Sequence, residues 1–332
     1  MAESNWSSKS VSKIVQQGKD RLVVLRSGAQ SLHRSWMSED RTWDLAISSF
    51  SSTDKTDYPE AKFFKYFKGG KWDGVYDFFN SNMELLDQYD YVWIPDDDIA
   101  TSGSDVDKMF DLMELYSLEL AQPALSVNSY FWHAITLNCP FTRIRYTNFV
   151  EVMVPILTAK TLKAVLPLFE NSRSGWGIDN MWARLTTDPK DKCAILDEVT
   201  VHHTRPVGSV LAKSMAQDGR SGFTEMDQLD ALYAVRSARP LCFRAITKNG
   251  QVVRGTWVCG LMQFVGQMPW RSRRRHWWTG PRVFLGSLLS HIRLRPNLSR
   301  VDLGAVASES CARSEVERSI SHSQLPSKGD GV

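Results

Sequence analysis

The sequence predicts an α/β fold in which buried strands alternate with helices, and three observations carry that expectation. Short apolar runs such as RLVVLR (Arg21 to Arg26) and WDLAISSF (Trp43 to Phe50) have the length and composition of strands buried on both faces. Segments with helical spacing fall between such runs, and that alternation marks a parallel sheet covered by helices. At 332 residues, 42% hydrophobic and 23% charged, the chain is long enough to bury a sizeable core and too apolar to be wholly disordered.

The elements follow in order. Between the first two strands, SGAQSLHRSWM supplies a loop and a short helix, the start of a βαβ unit. Gly69-Gly70 then breaks the chain, and Val75, Phe78, Phe79, Met83, Leu85 and Leu86 recur at the spacing of one amphipathic helix. That helix leads into the strand YVWI. Ser104 and Asp105 are capping candidates for a further helix, SDVDKMFDLMELYSLELA. PALSVNSYFW and IRYTNFVEVMVPILT are rich in β-formers, and a helix follows near Lys160 to Phe169. AILDEVTVHHTRP reads as a short strand closed by Pro206, Leu211 to Ala234 as helical and polar, and Asn249-Gly250 as a hairpin turn. Composition beyond Ser308 predicts disorder.

Cys139, Cys193, Cys242, Cys259 and Cys311 are widely spaced and form no CxxC pair, so free thiols in a reducing compartment are expected. The start MAESNWSSKS lacks a basic stretch followed by an apolar one, so no secretory leader is expected. The uncharged run GTWVCGLMQFVGQMPW falls short of the roughly 20 apolar residues that span a bilayer. The expected location is cytoplasmic, at most peripheral to the inner face of a membrane. Net charge is asymmetric: residues 1–239 hold 26 Lys/Arg against 32 Asp/Glu, and residues 240–332 hold 14 against 5, or −6 and +9.

The basic excess surrounds MPWRSRRRHWWTGPRVFLGSLLSHIRLRP, where arginines interleave with Trp270, Trp277, Trp278 and Phe284. Such a composition suits an anionic membrane surface, contacted through residues 270–300. The plainer alternative is a solvated basic extension packed on the main domain. No nucleic-acid-binding motif accompanies it, so no nucleic acid partner is expected.

The chemistry concentrates in YDYVWIPDDDIA (Tyr89 to Ala100), where Asp96, Asp97 and Asp98 follow a strand. Ligands of open α/β sheets bind outside the carboxyl ends of strands. Three adjacent carboxylates repel one another unless water or a cation screens them, and Mg²⁺ or Mn²⁺ takes carboxylate and phosphate oxygens together. Side chains alternate along extended backbone, so Asp96 and Asp98 share a side. An exposed acidic loop or helix cap is the plain alternative.

Three further segments bear on the same edge. VTVHHTRPVG offers an imidazole for a metal, from His202 or His203 but not both, and Arg205 for a diphosphate. In SRSGWGIDNMW, Gly175 and Gly177 allow a sharp turn that brings Trp176 to a ligand, while Asp179 is either a helix cap or a general base. YFKGGKW presents Lys68 and Lys71 near a helix start without being a P-loop.

In this order YVWIPDDDI, RYTNFVEVMVPILT, SGWGIDNMW and VHHTRPVG resemble the domain of unknown function 707 family, over roughly residues 20 to 240. The resemblance implies a nucleotide-sugar glycosyltransferase of the GT-A fold, a Rossmann-related, mixed and mostly parallel sheet flanked by helices. It implies a Mn²⁺ or Mg²⁺ ion on Asp96, Asp98 and His203, holding the diphosphate of a nucleotide sugar. The DDD run leaves open whether Asp97 takes the role of Asp96. The same resemblance makes Asp179 the base of an inverting reaction on a glycan or lipid-linked acceptor, and Trp176 with Gly177 the sugar platform. Nucleotide contacts are expected from Arg26, the loop through Ser31 to His33, Lys71, Asp97 and Arg205.

Domain organisation is expected as a polar extension over 1–20, the GT-A-like domain over 21–240, a basic aromatic extension over 241–307 and a disordered tail over 308–332. Two rivals remain. A haloacid dehalogenase-type phosphohydrolase requires Thr or Val where Ala100 stands, and a non-catalytic sugar- or nucleotide-binding relative would keep the fold without turnover.

Overall fold

Every residue of RLVVLR is buried because it forms the strand β1 (Arg21–Ser27), which has neighbours on both edges. β1 pairs in parallel with β2 (Asp44–Ser49) on one side and β4 (Tyr91–Trp93) on the other, and β2 with β3 (Phe63–Tyr66). The computed structural model describes residues 21–170, 172–208, 215–216, 219, 221–233, 239–267, 280–301 and 303. The expectations for 1–20, 308–332, Cys311 and the Trp270, Trp277 and Trp278 cluster lie outside the described residues, as does most of 209–220.

Beyond β4 the sheet becomes mixed. β5 (Ile99–Ala100) stands off the main path; β6 (Leu120–Leu125), β7 (Thr142–Thr147), β8 (Ile156–Thr158), β9 (Cys193–His203), β10 (Cys242–Thr247) and β11 (Val252–Arg254) complete the order β11-β10-β7-β9-β6-β8-β4-β1-β2-β3. The registers give seven of the ten strands on this path one direction, with β7, β8 and β11 opposed. The fold is therefore mixed α/β with a mostly parallel sheet, as the sequence predicts. β10 pairs with β7, so the segment from 241 begins as part of this sheet.

Alternation along β1 divides the core. Val23 and Leu25 join Ile47, Trp93 and Phe110 on one face, while Leu22 and Val24 join Phe78, Phe79 and Leu162 on the other. The helix α3 (Gly103–Leu115) carries Phe110, and α1 (Lys71–Asn80) with α4 (Ala159–Val165) covers the opposite face. Burial of aromatic and aliphatic side chains at about 1.5–3 kcal/mol each is what holds these layers together.

Several boundaries differ from the sequence expectation. The single helix expected through Leu86 is two, because α1 stops at Asn80 before the short α2 (Leu85–Gln88). α3 is capped two residues earlier than Ser104, with Ser102 Oγ accepting from Asp105 N at 3.1 Å, and ends at Leu115. Ser117 then takes a φ of 50°, a left-handed turn that no helix continues through, and the remaining LELA becomes β6 territory. CAILDEVTVHH (Cys193–His203) forms a long strand of 11 residues rather than a short one. The hairpin lies where Asn249-Gly250 predicts it, with Gly250 at a φ of 81°.

The remaining helices are α5 (Ile178–Met181), α6 (Gly222–Tyr233), α7 (Thr256–Gln267) and α8 (Gly280–Arg293). No described helix is long and apolar enough to cross a membrane.

Candidate functional site

The acidic triplet lies in a bend pinned at both ends. After β4 the backbone stays tied to the segment before β8, through Ile94 N to Pro155 O at 2.9 Å and Asp96 N to Met153 O at 2.8 Å. Then β5 pairs with the end of β9, setting Ile99 opposite His203 and Ala100 opposite His202. Thr204 closes the corner by donating its N and Oγ1 to Asp98 O at 3.2 and 2.8 Å. Two sequence motifs more than 100 residues apart thus meet at one sheet edge.

Asp96, Asp98 and His203 each turn one ligand atom into a group whose members lie within 4.8 Å of one another. His203 Nε2 is 3.2 Å from Asp98 Oδ2 and 4.0 Å from Asp96 Oδ2. Its Nδ1–H donates to Tyr130 O at 2.8 Å, which aims Nε2 at the carboxylates. Burial disfavours the imidazolium, but the hydrogen bond to Asp98 and the charges of Asp96 and Asp98 outweigh it and lift the pKa to about 9. Burial likewise works against the Asp98 carboxylate, and the His203 hydrogen bond with Arg205 more than offsets it, leaving its pKa lowered. His202, on the other side of the strand, engages Ser126 Oγ at 2.8 Å.

Asp97 faces away from this group, as alternation requires. Its Oδ2 accepts from Gly28 N at 2.8 Å and its Oδ1 from Arg205 Nη1 at 3.2 Å; burial raises its pKa. Arg205 also donates its backbone N to Asp98 Oδ2 at 3.1 Å and Nη2 to Gln30 O at 2.5 Å, spanning the triplet and the loop after β1. Lys71, at the start of α1, donates Nζ to Asp96 Oδ1 and Val152 O, both at 2.7 Å, and to Met153 O at 3.1 Å. Two cations therefore flank the three carboxylates.

The loop residues behave differently from the expectation. Arg26 lies buried beneath the Phe50 and Phe67 rings, and its terminal nitrogens are committed to Ser48 O, Ser48 Oγ, Phe67 O and Gly69 O. Burial lowers its pKa to about 10. It ties β1 to β2 and to the loop before α1, with no terminal nitrogen left over for a nucleotide. His33 is also committed, with Nδ1 to Ser31 Oγ and Nε2 to Glu60 Oε1, both at 2.7 Å.

The SRSGWGID segment lies against the start of α1, where a Cβ on Gly70 would lie 2.7 Å from Arg173 O. Gly175 and Gly177 take φ values of 78° and 94°, and a Cβ on Gly175 would lie 2.2 Å from Trp72 Nε1. Glu225 of α6 holds the loop through Ser174 N at 2.8 Å and Ser174 Oγ at 2.6 Å. Trp176 packs between Trp132 and Phe223, at ring-centroid distances of 5.5 and 4.7 Å, and both flanking rings are exposed. Asp179 stands in the first turn of α5, where burial pushes its carboxyl up to about 7 against the backbone hydrogen bonds that lower it.

Glu151 and Glu225 are the residues that sequence reasoning missed. Glu151 is the lone carboxylate within NFVEVMVPIL and is buried, with its pKa raised to about 8 by desolvation and by Asp179. A single acid in an otherwise apolar run was the signal.

No protein-family model matches the chain, and no curated protein matches it in sequence. Among solved structures, S. aureus TarS is similar over 60% of this chain at 11% identity and a TM-score of 0.39, the chain spanning 38% of its length. Glucosyl-3-phosphoglycerate synthase from Mycobacterium tuberculosis, solved with Mn²⁺, UDP-glucose and phosphoglyceric acid, is similar over 61% of this chain and 81% of its own at 14% identity and a TM-score of 0.35. GalNAc-T7, solved with UDP, GalNAc and Mn²⁺, is similar over 65% of this chain and 48% of its own at 9% identity and a TM-score of 0.42. Likenesses of this size carry no argument about activity, and the functional reading rests on the site itself.

Proposed function

We propose that the protein is a metal-dependent, inverting glycosyltransferase with a GT-A-like domain, of the kind the domain of unknown function 707 family resemblance implies. Its donor would be a nucleotide-diphosphate sugar and its acceptor a glycan or a lipid-linked glycan. The observation that supports this best is the convergence of Asp96, Asp98 and His203 at the sheet edge, flanked by Lys71 and Arg205.

The donor set fits Mn²⁺ or Mg²⁺: two carboxylates and one imidazole, with the imidazole oriented by a backbone carbonyl. When bound, such an ion supplies charge stabilisation to a leaving diphosphate. Lys71 and Arg205 add positive charge beside it, and Asp97 orients Arg205 and the Gly28 loop. Ser31 and His33 shape that loop on the nucleotide side. Trp176, with the turn at Gly177, offers an aromatic wall to a sugar ring. Asp179, whose pKa of about 7 suits a base at neutral pH, takes the proton of the acceptor hydroxyl. The acceptor oxygen then bonds to the anomeric carbon as the bond from that carbon to the diphosphate breaks on the opposite face.

The test is a thermal-shift screen of UDP, GDP, CMP and dTDP sugars with and without Mn²⁺. Ligand at 100 times its Kd contributes about 2.7 kcal/mol. A shift that requires both Mn²⁺ and Asp98 supports the donor site; no shift with any donor would sink it. Binding without transfer to any acceptor would favour a non-catalytic relative.

A peripheral contact with anionic membrane, from the cytoplasmic side, belongs to the same proposal. Trp257, Leu261 and Val265 form an exposed stripe on α7, and Leu285, Leu289 and Ile292 are exposed on α8. No acidic residue occurs between residues 240 and 301, which suits anionic lipid. Flotation with phosphatidylserine vesicles tests it, and equal flotation of a Trp257→Ser, Leu261→Ser variant would dismiss it.

A further inference from the structure

One buried carboxyl at this site takes no part in the mechanism above. Glu151 is 3% exposed; Thr136 reaches its carboxyl, yet Oε2 has no hydrogen-bond partner among the described residues. Buried carboxylate oxygens are nearly always bonded, so an orphan of this kind calls for a partner that the chain itself does not supply. The position is rigid. Glu151 N donates to Gln122 Oε1 at 2.7 Å, and the next two residues give their carbonyls to Lys71 Nζ. Met153 O also accepts from Asp96 N at 2.8 Å.

The location identifies the missing partner. Glu151 lies two residues from Met153, whose O accepts from both Asp96 N and Lys71 Nζ, and the charges of Asp179, His203 and Asp96 all act on it. Under the proposed function, on which this inference rests, Asp179 faces the acceptor while Asp96 and His203 face the diphosphate. The transferred sugar has to lie between them.

We propose that Glu151 Oε2 hydrogen-bonds a hydroxyl of the transferred sugar, and so is a substrate-contacting residue of the donor site. A phosphate oxygen only accepts, so it would suit the protonated side chain alone. A sugar hydroxyl both donates and accepts, and so satisfies the side chain in either protonation state.

The experiment uses the full chain with Mn²⁺ and measures, by titration calorimetry, the affinities of UDP, GDP and dTDP and of the glucose conjugate of each. Glu151→Met keeps the side-chain length and removes both oxygens. We expect it to lose about 10-fold in affinity for the conjugate that binds wild type, the loss of one hydrogen bond to a buried carboxyl, with less than a 2-fold change for the free diphosphate. Glu151→Gln, which still pairs with a hydroxyl, should recover most of the loss. Unchanged conjugate affinity in Glu151→Met would overturn the inference, as would a parallel loss of conjugate and diphosphate, the sign of a structural role. Retained diphosphate binding in the variant also shows that it is folded. If no diphosphate binds wild type, the donor site itself fails and the inference falls with it.

Discussion

Arg145 and Asp197 form a two-pronged ion pair between β7 and β9, with Nε to Oδ2 at 2.7 Å and Nη2 to Oδ1 at 2.9 Å, and both side chains are buried. The remaining Arg145 donors go to Ile135 O, Leu137 O and Gln263 Oε1, so one guanidinium joins the sheet, the segment before β7 and α7. Despite burial, the Asp197 charge holds its pKa above the usual arginine range. Arg145→Met should therefore leave Asp197 charged and half-partnered. The expected cost is about 3–5 kcal/mol, read from urea unfolding.

The loop that presents Trp176 depends on a different buried acid. Glu225 accepts from Ser174 N and Oγ and from Arg173 N, so it anchors this loop from α6. Glu225→Ala should cost about 1–3 kcal/mol and raise hydrogen exchange across residues 172–177. A stability loss without faster exchange there would contradict the anchoring role.

The backbone of that loop makes a separate demand. Gly175 combines a φ of 78° with a Cβ position 2.2 Å from Trp72 Nε1, on a large indole that is itself buried. Gly175→Ala should destabilise by about 1 kcal/mol or more, whereas Gly250→Ala, with open space around it, pays only for its positive φ. Comparing the two melting curves separates steric from conformational cost.

Much of this was legible along the chain. Apolar runs gave β1, β2 and β4 because a strand buried on both faces needs nothing but apolar residues, and D-x-D with HH marked the site because alternation sorts neighbours onto opposite sides. The end of α3 was not legible, since LELA carries helical residues and only the Ser117 turn stops them. Nor was the fate of Arg26, since a guanidinium after a strand reads the same whether it meets a phosphate or four oxygens of its own chain. Glu151 is the same problem inverted: its neighbours come from four distant segments, and no spacing encodes them.

Asp97 and Asp98 are adjacent yet should respond oppositely to substitution. Asp98 faces His203 Nε2 at 3.2 Å, while Asp97 is bonded to Gly28 N and Arg205 Nη1. Asp98→Asn should abolish the stabilisation by Mn²⁺ in a thermal-shift assay. Asp97→Asn should keep that response and lower stability by about 1 kcal/mol through the lost Arg205 contact. Equal loss of the Mn²⁺ response in both variants would show that the two carboxylates share the ion.

Asp179 sets the expected pH dependence. Its folded-state pKa of about 7 lies above the ordinary carboxyl value of 3.8, because burial penalises the charge. A base must be ionised to accept a proton, so sugar transfer should rise as pH passes upward through about 7 and level off above it. Folding responds with the opposite sign. The folded state holds the proton more tightly than the unfolded chain, so the contribution of Asp179 to stability is fully present below 3.8 and is lost as pH rises through about 7. Asp179→Asn cannot ionise and should abolish transfer, while its stability relative to wild type improves between pH 4 and pH 8, the range that brackets the titration. Unfolding curves at those two pH values, in chelator, give the second quantity without any acceptor. A flat difference would mean that Asp179 is ionised throughout and has no depressed acidity to use in catalysis.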